Sequence, residues 1–181
     1  MKRRVILAVV AMLAVAVAGV TLAQGPSGPP KPGPEHQKLA FFVGKWNTGG
    51  ESKPSAFGPG GKYTANETCE WFNGGFAVVC HSSGKFGEQA IKGLTVTSYD
   101  PAEKTYVFFE TNSVGENVFA RGTLDGDTWT WNNQGTSDGK PWKARFTLKQ
   151  ASADSATYKF EMAGGDDPLT LVMEGKQTRQ K

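Results

Sequence analysis

From residue 35 onward the chain reads as one short helical pattern followed by strand after strand. Leu39, Phe42 and Val43 fall on one face of a helical turn, so a helix is expected over 35–43. Pro34 and Glu35 suit its first turn, and Gly44 can stop it. After that the period is two. Strands are expected over 45–50, 62–73, 76–84, 91–99, 105–112, 116–124, 128–133, 141–150, 156–162 and 169–175, each rich in Thr, Val, Tyr, Phe or Trp and bounded by turn residues. The connections are short, so each strand should pair with the next. About ten such strands curl and close. The reading is an all-β, antiparallel up-and-down barrel of about ten strands with one short N-terminal helix. A sandwich would need longer crossovers than this chain offers.

Alternation assigns faces. In "PWKARFTLKQ", Trp142, Ala144, Phe146 and Leu148 share one side while Lys143, Arg145, Thr147 and Lys149 share the other. Tyr158, Phe160 and Met162 alternate with polar residues in the same way. A hairpin turn at Asp125-Gly126 pairs Gly122 with Trp129 and Ala120 with Trp131, and puts Arg121 opposite Thr130 outside. The strands over 91–99 and 105–112 carry apolar residues on both faces; Leu94, Val96, Val107 and Phe109 are taken as inward. The expected interior therefore comprises Trp71, Val78, Leu94, Val96, Phe109, Trp129, Trp131, Trp142, Phe146, Tyr158 and Phe160.

The first residues have a different pattern. Lys2, Arg3 and Arg4 precede an apolar run over 5–20, and Thr21-Leu22-Ala23 ends in small residues. This is the layout of a signal peptide over 1–23, which implies export to the periplasm or the medium. The other reading is an uncleaved membrane anchor, for which the run is somewhat short. The segment over 24–34, "QGPSGPPKPGP", reads as a flexible Pro/Gly-rich linker, and 35–181 as the barrel domain. The whole chain has 20 Lys and Arg against 17 Asp and Glu. The signal segment removes three basic residues and no acidic ones, leaving 17 of each. The net charge then vanishes, so neither a nucleic-acid partner nor stable membrane association after cleavage is expected.

At "FFVGKWNTGG" the helix leads into Gly44-x-Trp46 and a long meander, which resembles the calycin barrels. "PGPEHQKLAFFVGKW", "SAFGPGGKYTANETCEWFNGGF", "SYDPAEKTYVFF" and "TLDGDTWTW" resemble the bacterial domain-of-unknown-function family 1579 over nearly the whole mature chain. The resemblance implies a calycin-like fold and frequent export, and no particular activity. It also implies that Trp46 packs under a basic residue of the last strand, Lys176 or Arg179, closing the barrel base by cation–π attraction.

Both cysteines lie in "TCEWFNGGFAVVCHS". A loop at Gly74-Gly75 puts Trp71 opposite Val78 and Cys69 opposite Cys80. An exported compartment favours a disulfide there, with two free buried thiols as the other reading. There is no Cys-x-x-Cys spacing for a redox-active pair. His36 and His81 are too separated to suggest a metal site, and Ser82, Ser83 and Glu70 around His81 form no catalytic dyad on alternating faces. No catalytic residue, cofactor or metal is assigned, and an enzyme reading lacks a convergent ionisable pair. Two readings are carried forward, with an enzyme of unfamiliar or substrate-derived site as a third. One is a non-catalytic barrel that binds a small apolar or aromatic ligand, with Phe57, Trp71, Phe109, Trp129, Trp131, Trp142, Phe146 and Phe160 as candidate contacts and its mouth at the irregular stretch over 52–61. The other is an interaction module whose barrel is filled by its own aromatics.

Overall fold

The computed structural model of the protein describes residues 29–72 and 74–181. The expected signal peptide over 1–23 lies outside the described residues. A five-residue helix α1 (Pro34–Lys38) is followed by a 3-10 turn (Leu39–Phe41). The helix is thus shorter than the expected 35–43, because it tightens after Lys38. His36 anchors its start: Nδ1 accepts from the Gly33 N–H at 3.2 Å. The ring is buried edge-on against Phe76 and Tyr99, 5.2 and 5.6 Å away.

Ten antiparallel strands follow: β1 (Gly44–Ser52), β2 (Gly61–Trp71), β3 (Ala77–Phe86), β4 (Gln89–Asp100), β5 (Thr105–Asn112), β6 (Asn117–Asp125), β7 (Thr128–Ser137), β8 (Lys140–Ser152), β9 (Ser155–Gly164) and β10 (Thr170–Arg179). Each pairs with its sequence neighbours, and β1 pairs with β10 to close the barrel. Closure removes the free edges an open sheet would expose.

The barrel has two different ends. The lower end, where α1 sits, holds the start of β1 and the end of β10. Trp46 is fully buried there, and its indole N–H donates to Phe42 O at 2.7 Å. The Arg179 guanidinium lies 4.1 Å from the Trp46 ring centroid. Arg179 also donates to the carbonyls of Val43, Phe41 and Ala153 and pairs with Asp154. It is therefore Arg179 that closes the base; Lys176 pairs with Gly49 on the outer wall. Gly44, at φ 126, lies directly under the guanidinium, where a Cβ would collide with it.

Above this base, Trp129 and Trp131 stack at 5.5 Å with nearly parallel rings. Phe42, Tyr106, Phe108 and Phe146 surround them. Cys69 and Cys80 face each other across β2 and β3 and form a disulfide. Trp71 pairs with Val78, as the sequence register requires.

Two expectations about the strands change. Gly126 has φ 57 and sits inside the β6–β7 loop, so Asp125 is the last strand residue and pairs with Thr128. Gly122 then opposes Trp131, Leu124 opposes Trp129 and Arg121 opposes Asn132. The shift is by two, so every side chain keeps its face. The second change is larger. Leu94, Val96, Val107 and Phe109 are on the outer wall, not inside. The inner positions of β4 and β5 are Thr95, Thr97, Tyr99, Tyr106, Phe108 and Glu110. Gly122 and Ala120 pair with Tyr106 and Phe108, so the small residues of β6 accept the larger inner side chains of β5. Phe109, 38 % exposed, is left outside beside Phe119, 56 % exposed.

Candidate ligand site in the barrel lumen

The lower lumen is filled, and the upper lumen is not sealed. Ser82, Thr95, Phe108, Glu110 and Phe146 all point inward from mid-strand positions, yet each is only half-buried. The sheet covers them from outside, so solvent reaches them through the lumen. Tyr63, Phe86, Tyr158 and Phe160 complete an aromatic wall around this cup.

Inward glycines make the room. Gly50 and Gly175 lie beneath the Tyr158 hydroxyl, and the Phe86 ring covers Gly61. Trp142 packs on Gly135 in the same way, and Trp131 on Gly122. Gly93 is the exception. A Cβ there would be 2.6 Å from Ser82 Oγ and 4.0 Å from Glu110 Oε1. Glu110 thus leans over Gly93 towards Ser82, whose other neighbour on the inner face is Glu67, directly opposite on β2. Two carboxylates therefore flank one serine on the lumen wall.

Their surroundings differ. Glu67 accepts from Thr48 Oγ1 at 2.7 Å and from Gln177 Nε2 at 3.4 Å. Burial raises its pKa, and the Thr48 hydrogen bond partly offsets this. Burial and the neighbouring Glu67 and Glu116 charges push Glu110 up to about 7. Burial pushes Tyr158 up to about 12, helped by Glu67, and raises Tyr63 further, helped by both carboxylates. Neither Glu67 nor Glu110 joins an ion pair among the described residues; the pairs formed are Lys38–Glu35, Lys53–Glu174, Arg145–Glu161 and Arg179–Asp154.

Of the residues expected to contact a ligand, Phe146 and Phe160 line the open cup and Trp142 lies higher on the inner face. Trp131 forms its floor, Trp129 belongs to the filled base, and Trp71 lies at the lower end of β2. Phe109 faces outward. Phe57 is exposed in the loop between β1 and β2, above the upper rim. A groove of about 480 Å³ runs beside that loop along the end of β1, walled by Lys53, Pro54, Lys62 and Glu174. A second, of about 460 Å³, crosses β1 to β3; neither contains Glu110. His81 pairs with Thr68 on the outer wall and Glu70 with Val79, so they do not converge with the lumen.

Sequence reasoning missed Glu67 and Glu110. A signal for the first existed: Glu67 shares strand parity with Cys69 and Trp71, both read as one face. Glu110 was hidden because Tyr106, Val107, Phe108 and Phe109 make β5 apolar on both sides.

A closed meander of ten strands, a helix plugging one end and a Trp–Arg contact at its base define a calycin-like barrel. The match to the family described as "Protein of unknown function (DUF1579)" extends over residues 31–179, and the chain belongs to that family. No curated protein sequence matches the chain. Among solved structures, Rv2717c from M. tuberculosis is similar at a TM-score of 0.56 and 12 % identity, over 83 % of this chain and 100 % of that one. The S-type phycobiliprotein lyase CPES from Guillardia theta is similar at 0.56 and 13 %, over 81 % of this chain and 93 % of that one. At such identities the likeness concerns the fold alone.

Proposed function

We propose that this is an exported small-molecule-binding barrel whose ligand occupies the upper lumen. The observation that carries the reading is the half-buried inner face at mid-strand, around two carboxylates that join no ion pair among the described residues. Small-molecule sites combine apolar walls with a few placed polar groups, which describes this cup. The ligand is therefore an aromatic or apolar molecule with a polar end, rather than a purely apolar one. The similarity to a phycobiliprotein lyase agrees with a lumen that holds a ligand. Export rests on the basic and apolar pattern over 1–23, and the Cys69–Cys80 disulfide is compatible with it. No helix among the described residues is long and apolar enough to cross a membrane.

The alternative, an interaction module with a self-filled barrel, draws on the packed base; the solvent-reached cup weighs against it. Native mass spectrometry of protein recovered from the exported fraction tests the proposal. A bound small molecule, displaced when Thr95→Trp fills the cup, is expected. Protein recovered empty from that fraction would remove the ligand reading.

A further inference from the structure

We propose that the upper lumen selects a flat organic cation, held by its charge between Glu67 and Glu110 and by its ring against the aromatic wall. The inference rests on the ligand-binding reading above and adds the chemical class of the ligand.

Three observations converge. The first is the carboxylate pair. Glu110 leans over Gly93 towards Ser82, and Glu67 stands opposite Ser82 on the same inner face with its carboxylate held by Thr48 and Gln177; both glutamates are only half-buried. Two like charges on one buried wall repel, so the pair gains from any cation placed between them.

The second is the wall itself. Tyr63, Phe86, Phe108, Phe146, Tyr158 and Phe160 face the same lumen. Their ring faces attract a desolvated organic cation, and an aromatic one stacks as well. An inorganic ion would keep its water and use none of these rings.

The third is an unpaired donor at the floor. Trp131 projects inward from β7 and is only 4 % exposed. Its indole N–H meets no acceptor among the described residues, and the same holds for Trp129. Burying a donor without a partner is costly, and such groups usually meet a ligand or an ordered water. That N–H has no exposed surface in this structure, so an acceptor at the uncharged end of the cation would satisfy Trp131 once its ring turns, while the charged end reaches the carboxylates above.

The groups facing Glu110 set the pH dependence. Glu67 and Tyr63 face it from β2, and Glu116 approaches from the β5–β6 turn. Glu67 in turn raises Tyr158 on β9. The inner positions of β3, β4 and β6 nearby are Ser82, Gly93, Thr95 and Val118, none of which titrates near neutrality. Glu110 is pushed up to about 7, so near neutrality about half of the molecules carry a proton there that an incoming cation displaces. Cation binding should therefore release a proton and tighten as pH rises.

N-methyl-6-methoxyquinolinium is a suitable probe. It is flat and permanently charged, and its methoxy oxygen is an acceptor. 6-Methoxyquinoline, uncharged at pH 8, is the neutral control. Calorimetry on the full mature protein should find the cation bound roughly tenfold tighter than the control at pH 8. Its affinity should fall towards pH 5.5, with proton release at pH 7 revealed by buffers of different ionisation enthalpy. Glu110→Gln should cut cation affinity about tenfold and remove most of the proton release, with Glu67→Gln acting in the same direction. Equal binding of both rings, or cation binding that ignores pH and both substitutions, would overturn the charge selection and leave the ligand-binding reading standing. Binding of neither at about 1 mM would also overturn it. The broader reading would then fall only if the exported protein also carried no bound molecule.

Discussion

The two halves of this barrel are built from the same alternating strands and do opposite things. In the lower half, inward residues are large, apolar and fully covered: Trp46 and Trp129 are 0 % exposed, and α1, Arg179 and the disulfide close the end. In the upper half the inner face continues with Ser82, Glu67, Thr95 and Glu110 between aromatic rings, and solvent enters. A ten-strand barrel is wide enough for a ligand unless side chains fill it. Here the filling stops at Trp131. The lower half stores stability, and the upper half gives up some of it to keep carboxylates in a partly dry wall.

The comparison can be broken most directly at the base. Trp129→Ala should destabilise by about 3–5 kcal/mol, the range for deleting a fully packed aromatic. Phe160→Ala in the open cup should cost much less, because solvent already reaches that ring. Urea unfolding of both variants measures the contrast, and equal losses would mean the cup is packed like the base.

Reducing the Cys69–Cys80 disulfide, or replacing both cysteines with Ser, should cost about 2–4 kcal/mol by freeing the unfolded chain. A thermal melt with and without reductant reads this, with a clearly lower Tm expected on reduction.

The upper half should respond in the opposite direction. The Glu110 carboxyl is raised from 4.5 to about 7, so the folded state holds its proton more tightly than the unfolded one. Stability then falls as pH rises between these values, and the whole penalty is present above about 7. Glu110→Gln should therefore stabilise the protein by about 1–3 kcal/mol at pH 8 and make little difference near pH 4.5. Denaturant midpoints at the two pH values check the sign. A destabilised variant at pH 8 would mean that Glu110 has a cationic partner.

The smallest effect belongs outside. Phe119 is 56 % exposed on the outer wall, with Arg121 5.9 Å from its ring. Phe119→Ser should shift stability by no more than about 0.5 kcal/mol. A large loss would place that wall in a packed interface.

How far these regions could be read from the sequence follows the same division. On β8 and β9 apolar and polar residues alternate strictly, and Phe146, Leu148, Tyr158 and Phe160 were placed inside correctly. The Cys69–Cys80 pairing followed from register across the Gly74-Gly75 loop. On β4 and β5 both faces are apolar, so alternation could not choose. The partners in space chose instead, and reversed the assignment of Leu94, Val96, Val107 and Phe109. The same reversal carried Glu110 from the outer wall into the lumen.

By itself, then, the sequence determined the meander, the ten strands and the residues able to fill a base, because strand period and turn chemistry are local properties of the chain. It also determined the pairing of the cysteines, through the length of one short loop. Only the tertiary structure decided which face of β4 and β5 looks inward and that the Trp129–Trp131 stack fills one half alone. Only it could bring Glu67 and Glu110 together, from three strands apart in the sheet. Those outcomes depend on matching large side chains to small ones across neighbouring strands and on closing the cylinder, and neither condition is written in any single stretch of the chain.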